Sequence, residues 1–275
     1  MKPRPFDYVR PDTVDEALAL LAEQGDDARI LAGGQTLLAM LNLRVVEAAM
    51  LIDITRIPEL DRICEIDGKI EVGAAVTQNR LLAWPPLPHK LPLLHAALPF
   101  VGHFQTRNKG TVCGSIAHAD PASEIPLALA LLAGEVVLRS RRRTRVVTAS
   151  EFQQGMLTTA RESDEVITAV RFPVTKAGAA FREVVRRHGD FAIVAVAATA
   201  IKNTPSVRIG VAGMADRPAT RQIDVNGACA IQDAIERLAW ELQGYEDIHA
   251  SAHMRRDLLR RIAPLVVQEA MQCAA

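Results

Sequence analysis

The spacing of apolar positions changes period along the chain, and each change predicts a new element. Val14, Ala17, Leu18 and Leu21 recur every three or four residues, the period of a helix with one buried face. Thr13-Val-Asp-Glu16 just ahead has the form of a capping box, its hydroxyl and carboxylate each covering an end N–H, and Gly25 stops the helix. Residues 29–32 read as a short strand, 36–43 as a helix and 50–54 as a buried strand. The first ~60 residues therefore predict a small α/β unit.

From Ile57 the texture shortens. Residues 69–72 predict a strand, and Thr77 caps a short helix toward Trp84. The prolines of Trp84-Pro-Pro-Leu-Pro88 predict a rigid loop. Residues 117–124 read as a loop, followed by a helix from Pro126. Residues 135–138 and 145–147 predict paired strands around the basic turn Arg141-Arg142-Arg143, and 165–172 another strand ended by Pro173. Lys176-Ala-Gly178 is expected to be a linker. Beyond it, the runs 180–185, 193–201 and 207–214 predict an antiparallel meander, and 228–242 and 253–271 two helices. Strands followed by helices predict a separate α+β domain.

Composition narrows the class. A chain of 275 residues suggests two domains, and 49 % hydrophobic with 23 % charged residues suits a soluble globular protein. Lys+Arg and Asp+Glu balance at 32 each, which argues against a nucleic-acid binder, since that function needs basic excess to displace counterions. The opening MKPRPFDYVRP lacks the apolar core of a signal peptide, and no apolar stretch is long enough to span a bilayer. Cys64, Cys113, Cys229 and Cys273 are far apart, with no Cys-x-x-Cys pair to suggest an iron–sulfur cluster or structural zinc in this chain. Reduced thiols in the cytoplasm are the expectation.

Two glycine passages interrupt the apolar pattern. Gly33-Gly34-Gln35-Thr36 lies between a predicted strand and helix, and Thr111-Val-Cys-Gly-Ser115 has hydroxyls at both ends. Glycine admits positive φ and lets a ligand approach main-chain N–H groups without a Cβ in the way. Successive N–H groups form an anion nest, and a following helix start adds partial positive charge. Either these are plain structural turns, or the pair clasps a pyrophosphate from two sides. Neither reads G-x-G-x-x-G or Walker A, which disfavours a Rossmann or P-loop assignment. His118-Ala-Asp120 supplies at most two metal ligands where a site needs three or four. Ser123 lacks the surroundings of a nucleophile elbow. Arg186-Arg187-His188 reads as a phosphate or partner contact, or equally as an exposed strand end.

With "AGGQT" at 32–36 and "GTVCGSIAHADPASEIP" at 110–126, the chain resembles the FAD-binding medium subunit of the molybdenum hydroxylases, the xanthine dehydrogenase and carbon monoxide dehydrogenase family. "FDYVRPDTVDEALALL", "LIDITRIPEL", "EFQQGMLTTARESDEVITAVRFP" and "AFREVVRRHGDFAIVAVAA" extend the resemblance over nearly the whole chain. It implies an α+β protein: a two-subdomain FAD-binding domain of the vanillyl-alcohol-oxidase/PCMH type over 1–175, with subdomains about 1–57 and 58–175, then a C-terminal α+β domain over 176–275. It implies non-covalent FAD between the subdomains, with Ala32, Gly33, Gly34, Gln35 and Thr36 on one side of the pyrophosphate and Thr111, Val112, Cys113, Gly114 and Ser115 on the other. Val101 and His118 match positions approaching the cofactor. Glu124 stands where the family often has Asp, near the adenosine end. Ile167 matches an apolar contact, and Arg182 a position near the flavin ring that can be Lys.

The resemblance also implies partners: a large molybdopterin subunit, a small subunit with two [2Fe–2S] clusters, and a dimer of heterotrimers. This chain would then be the electron outlet, and no catalytic acid or base is needed on it. Thr36 for Ser keeps a hydroxyl. Ser115 after a single glycine, where the family often reads Gly-Gly-Asn, leaves one backbone approach less free. Arg182 for Lys changes donor geometry. A stand-alone FAD oxidase of the same superfamily, with flavin linked through His or Cys, is the alternative, and a scaffold without cofactor is the third reading.

Overall fold

The computed structural model describes residues 2–274. Three units follow one another. In the first, β1 (Asp7–Val9), α1 (Val14–Gln24), β2 (Ala28–Leu31), α2 (Leu37–Leu43) and β3 (Met50–Asp53) form a parallel sheet in the order β1-β3-β2. The Thr13 hydroxyl accepts from the Glu16 N–H, as its spacing predicts, but the Glu16 carboxylate reaches past Thr13 to the N–H of Asp12. The buried face of α1 is Val14, Ala17, Leu18 and Leu21, and Gly25 closes it at φ 54°.

The second unit contains β4 (Ile63–Ile66), β5 (Lys69–Gly73), α3 (Gln78–Leu82), α4 (Leu87–Lys90), α5 (Pro92–Ala97), α6 (Phe104–Lys109), α7 (Val112–His118), α8 (Glu124–Leu131), β6 (Glu135–Arg139), β7 (Thr144–Thr148), α9 (Ala149–Phe152), β8 (Gln153–Gly155), β9 (Thr158–Thr159) and β10 (Val166–Pro173). Its five-stranded sheet runs β4-β5-β10-β6-β7, every neighbouring pair antiparallel. The basic turn does join β6 to β7. The register of β10 on β6 slips between Ile167 and Ala169, a bulge that re-aims the strand beside Ile167.

Several expectations need correction here. Pro88 is not loop: it sits in the first turn of α4, where a missing N–H costs nothing. The passage at 111–115 is not a second loop but the capped first turn of α7. Helix α8 begins at Glu124 rather than Pro126, because a proline is tolerated within a first turn.

The third unit is the meander β11 (Gly178–Val184), β12 (Val194–Ala200), β13 (Ser206–Ala212) and β14 (Ala219–Asp224), antiparallel throughout, then α10 (Ala228–Leu242) and α11 (Ala252–Cys273). Helix α11 covers one sheet face, while α5 and α8 of the second unit cover the other. This explains the unbroken apolar run of β12: Val194, Val196 and Ala198 enter the core under α10 and α11, and Ala195 and Ala197 join the core of the second unit. Gly178, expected in a linker, instead opens β11 with no room for a Cβ, which would lie 2.2 Å from the Ala270 carbonyl oxygen. Buried Arg255 ties α11 to the sheet through the carbonyls of Ile193 and Gly213 and the carboxylate of Asp247. Among the described residues, no helix is long and apolar enough to cross a membrane.

Candidate functional site

Between the first two units, and reached by the β11–β12 loop of the third, lies a cavity of about 560 Å³. That volume falls in the range of small-molecule and cofactor sites. One wall is the irregular turn that leaves β2, where Gly34 at φ +70° adopts the left-handed conformation. The opposite wall is the start of α7. The two walls touch: a Cβ on Gly33 would lie 2.2 Å from the Lys109 carbonyl oxygen and 2.7 Å from the Gly110 Cα. Gly110 in turn accepts a hydrogen bond from the Gln78 N–H, and Thr77 bridges to Thr111, so the start of α3 locks the junction from behind.

The donors around the cavity are well defined. The Thr111 hydroxyl accepts from the Gly114 N–H at 2.9 Å as a helix cap, which leaves its O–H free to donate. Among the described residues, no protein acceptor takes the N–H of Gly33, Gly34, Gln35, Thr36 or Cys113. The Thr36 hydroxyl makes no capping bond either. Buried Gln78 lines the cavity with its Oε1 unpartnered, since its Nε2 reaches only toward the Thr111 carbonyl. Unmatched N–H donors converging on one cavity suit an anion.

Thirteen of the fifteen residues named from the sequence line this cavity: Ala32, Gly33, Gly34, Gln35, Thr36, Val101, Thr111, Cys113, Gly114, Ser115, His118, Glu124 and Ile167. Val112 does not; its side chain is fully buried and its N–H donates to the Val76 carbonyl. Arg182 also lies apart, on the α11 side of β11, where it pairs with Glu269 at 3.0 Å. Burial pushes the Cys113 thiol well above its usual range, so it is a packing group and not a nucleophile. Burial lowers His118 more than Asp120, 4.0 Å away, raises it, and the imidazole is neutral. Among the described residues, no group of three or more His, Cys, Asp or Glu is placed to hold a metal.

The structure adds wall residues that pattern reading missed. Arg29 and Arg161 come together at one end; Arg29 is held by the carbonyls of Asp26 and Ala28, and Arg161 by those of Glu162 and Glu165. Beside them Glu165 is wholly buried and accepts from the Nε and one Nη of a forked Arg145 at 2.6 and 2.7 Å. At the other end, Val101 and Gly102 form a turn whose carbonyls both accept from Arg107. Gly189, Asp190 and Phe191 close over that end, with the Phe191 ring 6.2 Å from that of His118. Only the adjacent basic triplet signalled this loop; Gly189 itself suits it because the backbone there adopts φ +87°, which side chains with a Cβ rarely do.

The family model described as the FAD binding domain in molybdopterin dehydrogenase matches residues 4–175. The chain is 43 % identical over 196 residues to the caffeine dehydrogenase subunit beta of Pseudomonas sp., a match covering 70 % of this chain and 66 % of that relative. It is 32 % identical to the glyceraldehyde dehydrogenase medium chain of Sulfolobus acidocaldarius, covering 94 % and 96 % of the two. In structure it matches carbon monoxide dehydrogenase from Hydrogenophaga pseudoflava, solved without the Mo-pyranopterin moiety of its molybdenum cofactor. The TM-score is 0.93 at 31 % identity, over 100 % of both chains.

Proposed function

The chain belongs to the FAD-binding subunits of the molybdopterin dehydrogenases, and from that premise we propose that it is the electron outlet of a multi-subunit molybdenum hydroxylase. The observation that carries this reading is the ring of unmatched N–H donors from Gly33 to Thr36 and at Cys113 around a cavity of cofactor size. These donors would hold the FAD pyrophosphate, and Ala32, Ser115 and the neighbouring wall would shape its path. Val101, Ile167 and Phe191 offer apolar surface to the rings. Bound FAD supplies the ability to accept electrons singly and pass them on in pairs. The chain's own work is to bind and orient the dinucleotide and keep water from one side of it. Cys113, with its buried thiol, offers no covalent anchor, which supports dissociable FAD over the covalent flavin of a stand-alone oxidase. The electrons would come from [2Fe–2S] clusters on a small partner subunit, reduced by a large subunit with molybdopterin, and leave to an external acceptor; a dimer of heterotrimers is the proposed assembly.

Co-expression with a large molybdopterin subunit and a small iron–sulfur subunit tests this. The expected result is a complex containing flavin, iron and molybdenum, whose flavin is bleached by the substrate only when the small subunit is present. Flavin reduction by substrate in the chain alone would overturn it in favour of the oxidase.

A further inference from the structure

Two carboxyl groups come near enough to feel each other beside the cavity, one buried and one half-buried. Glu124, 4 % exposed, opens α8 and lines the cavity. Among the described residues its carboxyl meets no donor but its own backbone N–H. Glu183 approaches from β11, on the strand face that also presents Phe181 to Phe100. Its Oε2 is buried without a partner.

Among the described residues, no cation forms a hydrogen bond or ion pair with either carboxyl. Asp120 is the other titratable side chain that bears on Glu124, and its neighbour His118, 4.0 Å away, is held below its usual range by burial. The Tyr245 phenol, kept protonated by burial, comes near Asp120. On the remaining elements packed against α8, the titratable groups are His95, Glu151, Arg208, Arg221 and Asp224, all exposed. Burial pushes Glu124 up to about 7, and the Asp120 charge pushes in the same direction. Burial and then the charge of Glu124 push Glu183 up to about 8. Two like charges in such a corner disfavour each other, and the protonated form wins.

Resting on the FAD reading above, we propose that Glu124 carries a proton when the cofactor is bound, so that it presents a hydrogen-bond donor to the anionic dinucleotide in place of a negative charge. Glu183 brings a second carboxyl and no positive charge to this corner. Cofactor affinity is thereby tied to pH. A cavity whose donor wall is built for an anion would otherwise set a carboxylate against that same anion.

The test is calorimetric titration of the full chain with FAD between about pH 6 and pH 9, in buffers of different ionisation enthalpy. Affinity is expected to fall above about pH 7 by up to tenfold per unit, with proton uptake on binding at the alkaline end. E124Q is expected to bind with one affinity across the range and take up no proton. E183Q is expected to keep the fall, because Glu124 still titrates. Wild-type affinity that does not change with pH, or an E124Q variant with the wild-type dependence and proton uptake, overturns the inference and leaves FAD binding intact. Absence of FAD binding at every pH, with partner subunits present, overturns the FAD reading and this inference with it.

Discussion

The turn at Gly33 and Gly34 and the start of α7 at Thr111 face each other across one cavity, and glycine serves a different purpose in each. At the turn, Gly34 is needed for its positive φ and Gly33 because Lys109 and Gly110 leave no space for a Cβ. There the missing side chain lets two backbone segments touch each other, and the ligand gains from the N–H groups this exposes. In α7, a Cβ on Gly114 would meet only the Thr111 hydroxyl, at 2.8 Å, an atom on a side chain that can rotate. The lesson is that two passages of like composition need not be two copies of one device. One is a loop-to-loop weld; the other is a capped helix whose first turn faces the same space.

Substitutions break this comparison in order of size. Gly33→Ala forces two backbones apart and is expected to cost more than about 3 kcal/mol, read as a lower urea midpoint. Next comes Glu124 at the start of α8. Glu124 has an ordinary value of 4.5 and is raised by burial to about 7, so the folded chain holds this proton more tightly than the unfolded chain. That contribution is complete below about pH 4.5 and lost as pH rises through about 7. In the absence of FAD, E124Q is therefore expected to exceed wild type in stability by about 2–3 kcal/mol at pH 8 and to match it near pH 4, measured as paired urea curves.

Smaller effects distinguish the helix. Thr111→Val removes the cap from the Gly114 N–H and is expected to cost about 1 kcal/mol in thermal unfolding. Gly114→Ala displaces that hydroxyl yet gains helix propensity of about 1 kcal/mol, so the two nearly cancel and the melting temperature should barely move. If Gly33→Ala were as mild as Gly114→Ala, the contrast between weld and cap would fail.

Local signals were the legible part of the chain. The spacing of Val14, Ala17, Leu18 and Leu21 marks α1 because one helical face is buried, and the apolar runs of the meander mark β11 to β13 because both faces of that sheet are covered. Strand β14 was missed because Thr220, Arg221 and Gln222 give its exposed edge a polar texture. The helical nature of 111–115 was missed because glycine content outweighed the Thr111 cap in the reading. The matches named from the sequence supplied the main cavity walls. Arg29, Arg161 and the loop at 189–191 were not legible, since long-range packing alone brings them to the cavity, and Glu183 comes near Glu124 only because β11 packs back on α5.

The central claim is that this cavity holds dissociable FAD. Its most direct test is the visible spectrum of the chain purified with its partner subunits, before and after heat denaturation and centrifugation. The expected result is flavin bands that pass entirely to the supernatant, where the released compound is FAD and not FMN. Bands that stay with the precipitated protein, or a complex with no flavin that binds none when FAD is added, would contradict it.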